Sequence, residues 1–187
     1  MGSMSRGYHG DQEKIYYERI IEEQCPTIVK CSCPTSTPIP ALTIGIGLTA
    51  SVDLTLATLN VDTSCICDPN VKLDFTTNYI VPAGLLVGGT VSLQVLKQCR
   101  NQLTPTSVGQ PLSLTGGILG VNTAAIVSFF TCDSDICSNE CCTYTVVATV
   151  NAIVSIALGA SFNRSILSAT ITCRNSCHKC RRDYDRY

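Results

Sequence analysis

The chain has no tryptophan and only two histidines in 187 residues, and charged residues make up only 14% of it. Its formal net charge is -1, so it has no field of one sign to attract a nucleic acid or an anionic membrane surface. His9 and His178 are the only imidazoles available as a general base or as a nitrogen ligand for a metal. These absences argue against nucleic-acid binding, membrane-surface binding and histidine-based catalysis.

The sequence also lacks a long apolar run. Its longest weakly polar stretch, residues 144–158, is interrupted by Thr145, Thr149 and Asn151, and it falls short of the ~20 apolar residues that a spanning helix needs. The N-terminus contains no apolar stretch typical of a secretory signal, and we expect residues 1–3 to be an expression scar. We therefore predict no membrane span and synthesis inside a cell without an export signal.

Residues 11–25 show the one convincing helical pattern, with Ile15, Tyr16 and Ile20 at three-to-four spacing. After them the composition shifts to Thr, Val and Ile, and the proline-rich residues 33–40 predict a stiff extended spacer. This order predicts an arm, a body and a tail. The predicted divisions are an N-terminal arm at 1–40, a β-sandwich domain at 41–174 and a charged, cysteine-containing tail at 175–187.

The body has a β pattern throughout, because short runs rich in Val, Ile and Thr alternate with turn signals such as Asp68-Pro69-Asn70 and Gly116-Gly117. About eight such runs without an intervening helix predict an all-β fold of two packed sheets. Eight strands favour a jelly roll, here with an extended or helical N-terminal arm. The predicted strands are residues 42–48, 54–61, 71–78, 90–98, 111–114, 124–131, 143–154 and 166–172.

Thirteen cysteines are the most informative feature that the sequence does have. An odd number means that at least one thiol cannot pair within its own chain. A chain of this length buries roughly 70% of its unfolded surface without covalent staples, so the cysteines are not needed merely for folding. We predict bonds between chains for the terminal groups, which are Cys25, Cys31, Cys33, Cys173, Cys177 and Cys180. We predict bonds within the chain, or acceptor roles, for Cys65, Cys67, Cys99, Cys132, Cys137, Cys141 and Cys142.

Cysteines in such groups have two other common uses, metal binding and catalysis. Structural zinc usually takes two closely spaced pairs, and no group here forms two such pairs, although His178 could join Cys173, Cys177 and Cys180. A catalytic cysteine needs a nearby base, and both histidines lie in the terminal segments. We expect no enzymatic activity, no cofactor and no metal. A zinc-binding or thiol-redox module is the alternative, and a carbohydrate-binding jelly roll is disfavoured because tryptophan is absent.

Four segments resemble a family of small cysteine-rich proteins of unknown function from anaerobic spore-forming clostridia. They are Val61 to Phe75, Lys97 to Gln102, Phe129 to Asp135 and Cys141 to Val146. In size and cysteine-rich β design that family is similar to the endospore appendage subunits of bacilli, which are jelly rolls that assemble into fibres. The resemblance implies that Cys25, Cys31 and Cys33 are thiols of an N-terminal connector, and that body cysteines accept them.

Together these features predict a structural, self-assembling subunit of an extracellular, endospore-associated fibre. We expect edge-strand pairing between subunits and disulfides between chains to hold it together. A surface poor in charge and rich in Thr, Ser, Ala and Gly suits a protein that is covered by copies of itself. The expected partners are copies of the same chain and other spore-surface proteins, with no nucleic acid, membrane or small-molecule substrate.

Overall fold

The computed structural model describes residues 26–40, 50–64, 66, 68–81, 89–100, 102–115, 123–134, 141–152 and 159–173. Within these ranges the chain forms nine β-strands and no helix. The predicted helix at 11–25 and the predicted strand at 42–48 lie outside the described residues. The strands are β1 (Ile28–Cys31), β2 (Thr35–Pro38), β3 (Ala50–Asp62), β4 (Pro69–Val81), β5 (Gly89–Cys99), β6 (Thr106–Thr115), β7 (Thr123–Asp133), β8 (Cys141–Ala152) and β9 (Ser161–Cys173).

The strands form two antiparallel sheets. The first has the order β1-β9-β4-β7, with β2 also paired to β9, and the second has the order β3-β8-β5-β6. The prediction of an all-β fold built from two sheets is confirmed. The alternation of apolar and polar residues explains this two-sheet fold, since successive side chains of a strand point to opposite faces. In β4, for example, Val71, Leu73 and Phe75 are buried, whereas Lys72 and Thr76 are exposed.

The inward-pointing side chains of both sheets form one apolar core. Its largest fully buried members include Leu56, Leu93, Tyr144, Phe162 and Leu167. A one-residue slip of any central strand would turn this set toward solvent, so burial fixes the register. The same rule fixes which residues face outward, and the outward set contains the candidate site.

The proline-rich segment that the sequence predicts as a spacer contains β2, which pairs with β9 of the same chain, as β1 does just before it. Proline is compatible with such edge strands, because it leaves no ladder hydrogen bond unmade on the open side. The hydroxyl of Thr35 donates to the carbonyl of Leu56, and that of Thr37 donates to the carbonyl of Thr55 at 3.2 Å. These bonds tie β2 to β3 and join the two sheets along this side.

On the opposite side β6 and β7 lie next to each other. Gly109 of β6 has φ +68°, and a Cβ at this position would collide with the hydroxyl of Thr131 in β7. Glycine therefore permits both the left-handed backbone and the close approach. Beside it, a register shift between Leu93 and Val95 lets the Gln94 side chain donate to the carbonyl of Val108 at 3.1 Å.

A buried polar cluster joins the two sheets at one end of the core. The Lys97 ammonium of β5 lies 2.9 Å from the Asp133 carboxylate of β7, and the Tyr144 hydroxyl of β8 donates to the same carboxylate at 2.8 Å. Lys97 is 7% exposed and Asp133 is 5% exposed. Burial, followed by the negative charge and the hydrogen bond of Asp133, raises the pKa of Tyr144.

A disulfide lies in the next inward row of the same strands. Cys99 and Cys142 are directly opposed in β5 and β8, with their Cα atoms 4.0 Å apart. The closed loop has a sequence separation of 43 residues, for which chain entropy gives a stabilisation of about 4 kcal/mol. Both cysteines were predicted to bond within the chain or to act as acceptors. The polar cluster and the disulfide together fix this end of the sandwich.

We expect the Asp133→Ala variant to lose about 3 kcal/mol of unfolding free energy, because Lys97 and Tyr144 lose their shared acceptor in a dry interior. Asp74→Ala is the matched control, since it breaks the Lys72–Asp74 ion pair at 2.9 Å, whose side chains are 49% and 42% exposed. This loss should stay below about 1 kcal/mol. Urea unfolding measures both variants, and equal losses would contradict a structural role for the buried cluster.

The raised pKa of Tyr144 also predicts a loss of stability at alkaline pH. The unfolded phenol loses its proton near the ordinary pKa of 10.0, whereas the folded phenol keeps it, so unfolding becomes favoured as pH rises. The slope for this group is about 1.4 kcal/mol per pH unit. Tyr79, whose pKa burial also raises, acts in the same direction. Urea unfolding of thiol-alkylated protein between pH 9 and 11 gives the slope of the unfolding free energy against pH. In Tyr144→Phe this slope should be shallower by the contribution of about one proton. An unchanged slope would refute the assignment.

Candidate functional site

The outward-pointing residues of β1, β9, β4 and β7 form a surface that we call the outer face. Directly opposed residues of antiparallel strands point to the same side, so the registers define rows that cross this face. One row consists of Val29, Thr170, Lys72 and Cys132. The next row consists of Cys31, Ser168, Asp74 and Phe130.

Three large apolar side chains on the outer face are exposed. Val29 is 65% exposed, Ile126 is 79% exposed and Phe130 is 68% exposed. A shallow groove of about 300 Å³ lies beside Phe130, with Ile166 and Ser168 in its lining. Single exposed apolar residues are normal on a soluble protein. These three lie on one side of one sheet, with Val29 at one edge and Ile126 and Phe130 at the other.

The central charges of the outer face neutralise each other. The Lys72 ammonium lies 2.9 Å from the Asp74 carboxylate and 5.3 Å from the centre of the Phe130 ring. The ion pair is exposed and contributes little stability. Its effect is to leave the middle of this face with no net charge.

Among the described residues, four cysteines are exposed and free of disulfides, and we call them the four exposed thiols: Cys31, Cys33, Cys132 and Cys141. Cys31 lies in β1 and Cys132 lies in β7, which are the two edges of the first sheet. Three strand spacings separate these edges, which is about 14 Å. A disulfide requires Cα atoms within about 7 Å, so these two thiols cannot bond within one chain.

Cys141 lies on the other sheet, where it is directly opposed to Asp62 and points away from the core. The pKa of the Asp62 carboxyl is lowered, chiefly because the backbone N–H of Ser64 donates to it at 2.9 Å. Hydrogen bonds from the Ser64 hydroxyl and the Cys141 thiol, and the charge of Lys30, add to this effect. Cys141 is therefore an oriented, accessible thiol on the side opposite the outer face.

The structure divides the predicted cysteines into three sets. Cys31 and Cys33, predicted to bond between chains, are exposed thiols, and so are Cys132 and Cys141 from the group of internal or acceptor candidates. Cys173, grouped in the sequence with the intermolecular candidates, is disulfide-bonded in the isolated chain. The remaining candidates, namely Cys25, Cys65, Cys67, Cys137, Cys177 and Cys180, lie outside the described residues.

Sequence reasoning did not single out the apolar residues of the outer face. The signal is present in β7, where Phe129 and Phe130 are adjacent and Ile126 and Val127 are adjacent. Since neighbouring residues of a strand point to opposite sides, one member of each pair must face outward. A strand that is apolar on both sides indicates either full burial or a contact surface, and β7 lies at a sheet edge.

Neither a metal centre nor a spanning helix is found in the part of the chain that the structure describes. Within it, no three His, Cys, Asp or Glu side chains lie close enough together to hold a metal ion. No helix there is long and apolar enough to cross a membrane.

The fold and the site define a two-sheet β protein with exposed thiols on both of its outer surfaces. The chain belongs to the DUF4489 family, described as a domain of unknown function, whose family model matches residues 25–172. A search of the curated proteins gives no significant match.

Among solved structures, similar chains come from infectious bursal disease virus. A structure of the Gx strain has a TM-score of 0.29 and 10% identity over 80% of this chain and 43% of that chain. A VP2 subviral particle has a TM-score of 0.28 and 11% identity over 78% of this chain and 41% of that chain. The chain thus spans less than half the length of these relatives, and at these TM-scores the likeness carries no functional inference.

We expect iodoacetamide to label the four exposed thiols in the native monomer and to leave Cys99 and Cys142 unlabelled until the protein is reduced. The monomer is isolated by gel filtration, alkylated, reduced, labelled with a second reagent and digested for mass mapping. Each peptide then reports the state of its own cysteine. A native label on Cys99, or protection of Cys132, would contradict the assignment of exposed and bonded residues.

Proposed function

We propose that this protein is a structural subunit that assembles with copies of itself and is cross-linked by disulfides between chains. The observation that carries the proposal is the position of the four exposed thiols. Cys31 and Cys132 lie at opposite edges of one sheet and Cys141 lies on the other sheet, so these three have no partner among one another. In an oxidising environment, accessible thiols in such positions bond to other molecules.

The strand order supports a jelly roll, a fold used for assembling shells and surface proteins. If β1 and β2 count as one interrupted strand, the sandwich has eight strands in two sheets of four. Successive strands then alternate between the sheets, except that β5 and β6 pair within the second sheet. This alternation supports the jelly roll that the sequence analysis favours.

Covalent links would give the assembly its resistance. A disulfide between chains does not dissociate on ordinary timescales, so the assembly withstands heat, denaturant and dilution until it is reduced. Reducing conditions inside a cell keep thiols free during synthesis, and oxidation follows once the subunits reach an oxidising environment. This order of events is consistent with the internal disulfide between Cys99 and Cys142, beside which the four exposed thiols stay available.

We further propose that the assembly is an extracellular fibre or appendage on the endospore surface, where other spore-surface proteins are additional partners. Two features support this location. The segments quoted above resemble proteins of spore-forming bacteria, and the chain carries few charges, as a surface packed against copies of itself requires.

After oxidation in air, boiling in detergent without a reductant should leave bands at multiples of 20.0 kDa. A reductant should convert all of them to the single-chain band, because only disulfides survive boiling. Denaturing gels run with and without dithiothreitol provide the measurement. Single-chain protein in both lanes would overturn covalent assembly. Stoichiometric zinc by elemental analysis would favour the alternative of a zinc-binding module.

A further inference from the structure

We propose that two copies of this chain pack through their outer faces and that Cys31 of each copy forms a disulfide with Cys132 of the other. This inference rests on the proposed function, and it names the surface and the thiol pair through which subunits join. It starts from the observation that two free thiols and three exposed apolar side chains lie on one side of one sheet.

The apolar residues are placed where a flat contact would bury them. Val29 lies in β1, at one edge of the outer face, and Ile126 and Phe130 lie in β7, at the other edge. Leu103 is 97% exposed but lies in the turn that follows β5, away from this surface. Leu103 therefore provides an internal comparison for the effect of position.

The size of the outer face fits a pair of copies. Four strands with their side chains cover about 19 Å across, and ten residues of strand cover about 33 Å along, which gives on the order of 600 Å² for each copy. Two such faces bury about 1,200 Å² in total, the lower end of the range for specific interfaces. A contact of this size gains most from a covalent link.

When the outer faces of two copies meet, no charge repulsion opposes the contact at its centre. Lys72 and Asp74 neutralise each other within the chain, at 2.9 Å. Ser168 and Thr170 occupy the same rows in β9, and hydroxyl groups hydrogen-bond to like groups as well as to charges. Like-charge repulsion, which excludes many self-contacts, is absent from these two rows.

A two-fold axis parallel to the strands brings together the two edges that carry the thiols. This axis places the β1 edge of one copy over the β7 edge of the other. Cys31 of one copy then lies one row away from the partner's Cys132. The same arrangement occurs at both edges of the contact. The remaining offset is about 7 Å along the strand. A rotation of about 30° between packed sheets can shift edges that lie about 7 Å from the axis by about 4 Å relative to each other, which removes about half of this offset. Disulfides between packed sheets occur in immunoglobulin domains.

The sheet edges are less suited to join subunits on the β2–β3 side. Addition of a strand requires free backbone groups along an edge. On β3 the carbonyls of Leu56 and Thr55 already accept hydrogen bonds from Thr35 and Thr37. The outer face has no such internal use for its exposed apolar groups.

Bond formation is a two-electron oxidation. The two thiols release two protons and two electrons as the Sγ–Sγ bond forms. Dioxygen, or a small-molecule disulfide such as oxidised glutathione, takes up the electrons.

The test uses the full chain, oxidised with oxidised glutathione, followed by protease digestion without reduction and mass mapping. We expect a linked peptide pair that joins Cys31 to Cys132 between differently isotope-labelled chains. Cys132→Ser and Cys31→Ser should each abolish this link. Cys33→Ser and Cys141→Ser are the matched controls, because both thiols are exposed but have other positions, and the link should persist in them.

A second measurement tests the face without its thiols. In the Cys31→Ser/Cys132→Ser background, Phe130→Ser should weaken dimerisation at least tenfold in sedimentation equilibrium, whereas Leu103→Ser should leave it unchanged. Thermal melting checks that both variants fold. If chains are cross-linked only through other cysteines and Phe130→Ser has no effect, the outer-face pairing is wrong while the proposed function stands. If oxidation gives no cross-linked chains at all, both fail.

Discussion

The ion pair between Lys97 and Asp133, shared with the hydroxyl of Tyr144, fixes how the two sheets sit against each other. Burying charge is costly unless each partner is satisfied, so these three side chains must meet whenever the sandwich forms. Asp133 is therefore held inward at the end of β7. Since neighbouring residues of a strand point to opposite sides, Cys132 must point outward.

The alternation of side chains along a strand also determines which way Cys141 and Cys31 point. Cys142 is held inward by its disulfide to Cys99, so the adjacent Cys141 faces solvent. In β1, Lys30 lies on the inward side and is close enough to Asp62 to affect its pKa, and the adjacent Cys31 faces outward. For Cys132 and Cys141 an inward polar or covalent contact of the neighbouring residue determines the exposure, and for Cys31 the pairing of Ile28 with the buried Ile171 determines it. The core therefore determines which thiols reach the surface.

The local pattern was enough to predict most strands, because alternation as regular as that of Ser168 to Thr172 in β9 allows no other interpretation. It was not enough for β2, because Pro34 and Pro38 indicate a spacer until the pairing partner is known, and only an edge strand tolerates them. It was not enough for β1 either, because four residues are too short a run to show alternation. Cys99 and Cys142 were both placed among the internal or acceptor candidates, and they bond to each other. The site escaped prediction, because it depends on strand order. Nothing in β1 or β7 alone indicates that Cys31 and Cys132 lie at opposite edges of one sheet.

Pairing through the outer face consumes that face in both copies, because a two-fold contact closes on itself. Growth into a fibre then requires a second, different surface. Cys141 lies on the second sheet, on the side of the molecule opposite the outer face. A pair of copies therefore presents two Cys141 thiols on opposite sides, and a link through each extends the assembly in a line. In the assembly that we propose, a link between the Cys141 thiols of two copies is a second two-fold contact, so two different closed contacts alternate along the line and the pair of copies is the repeating unit.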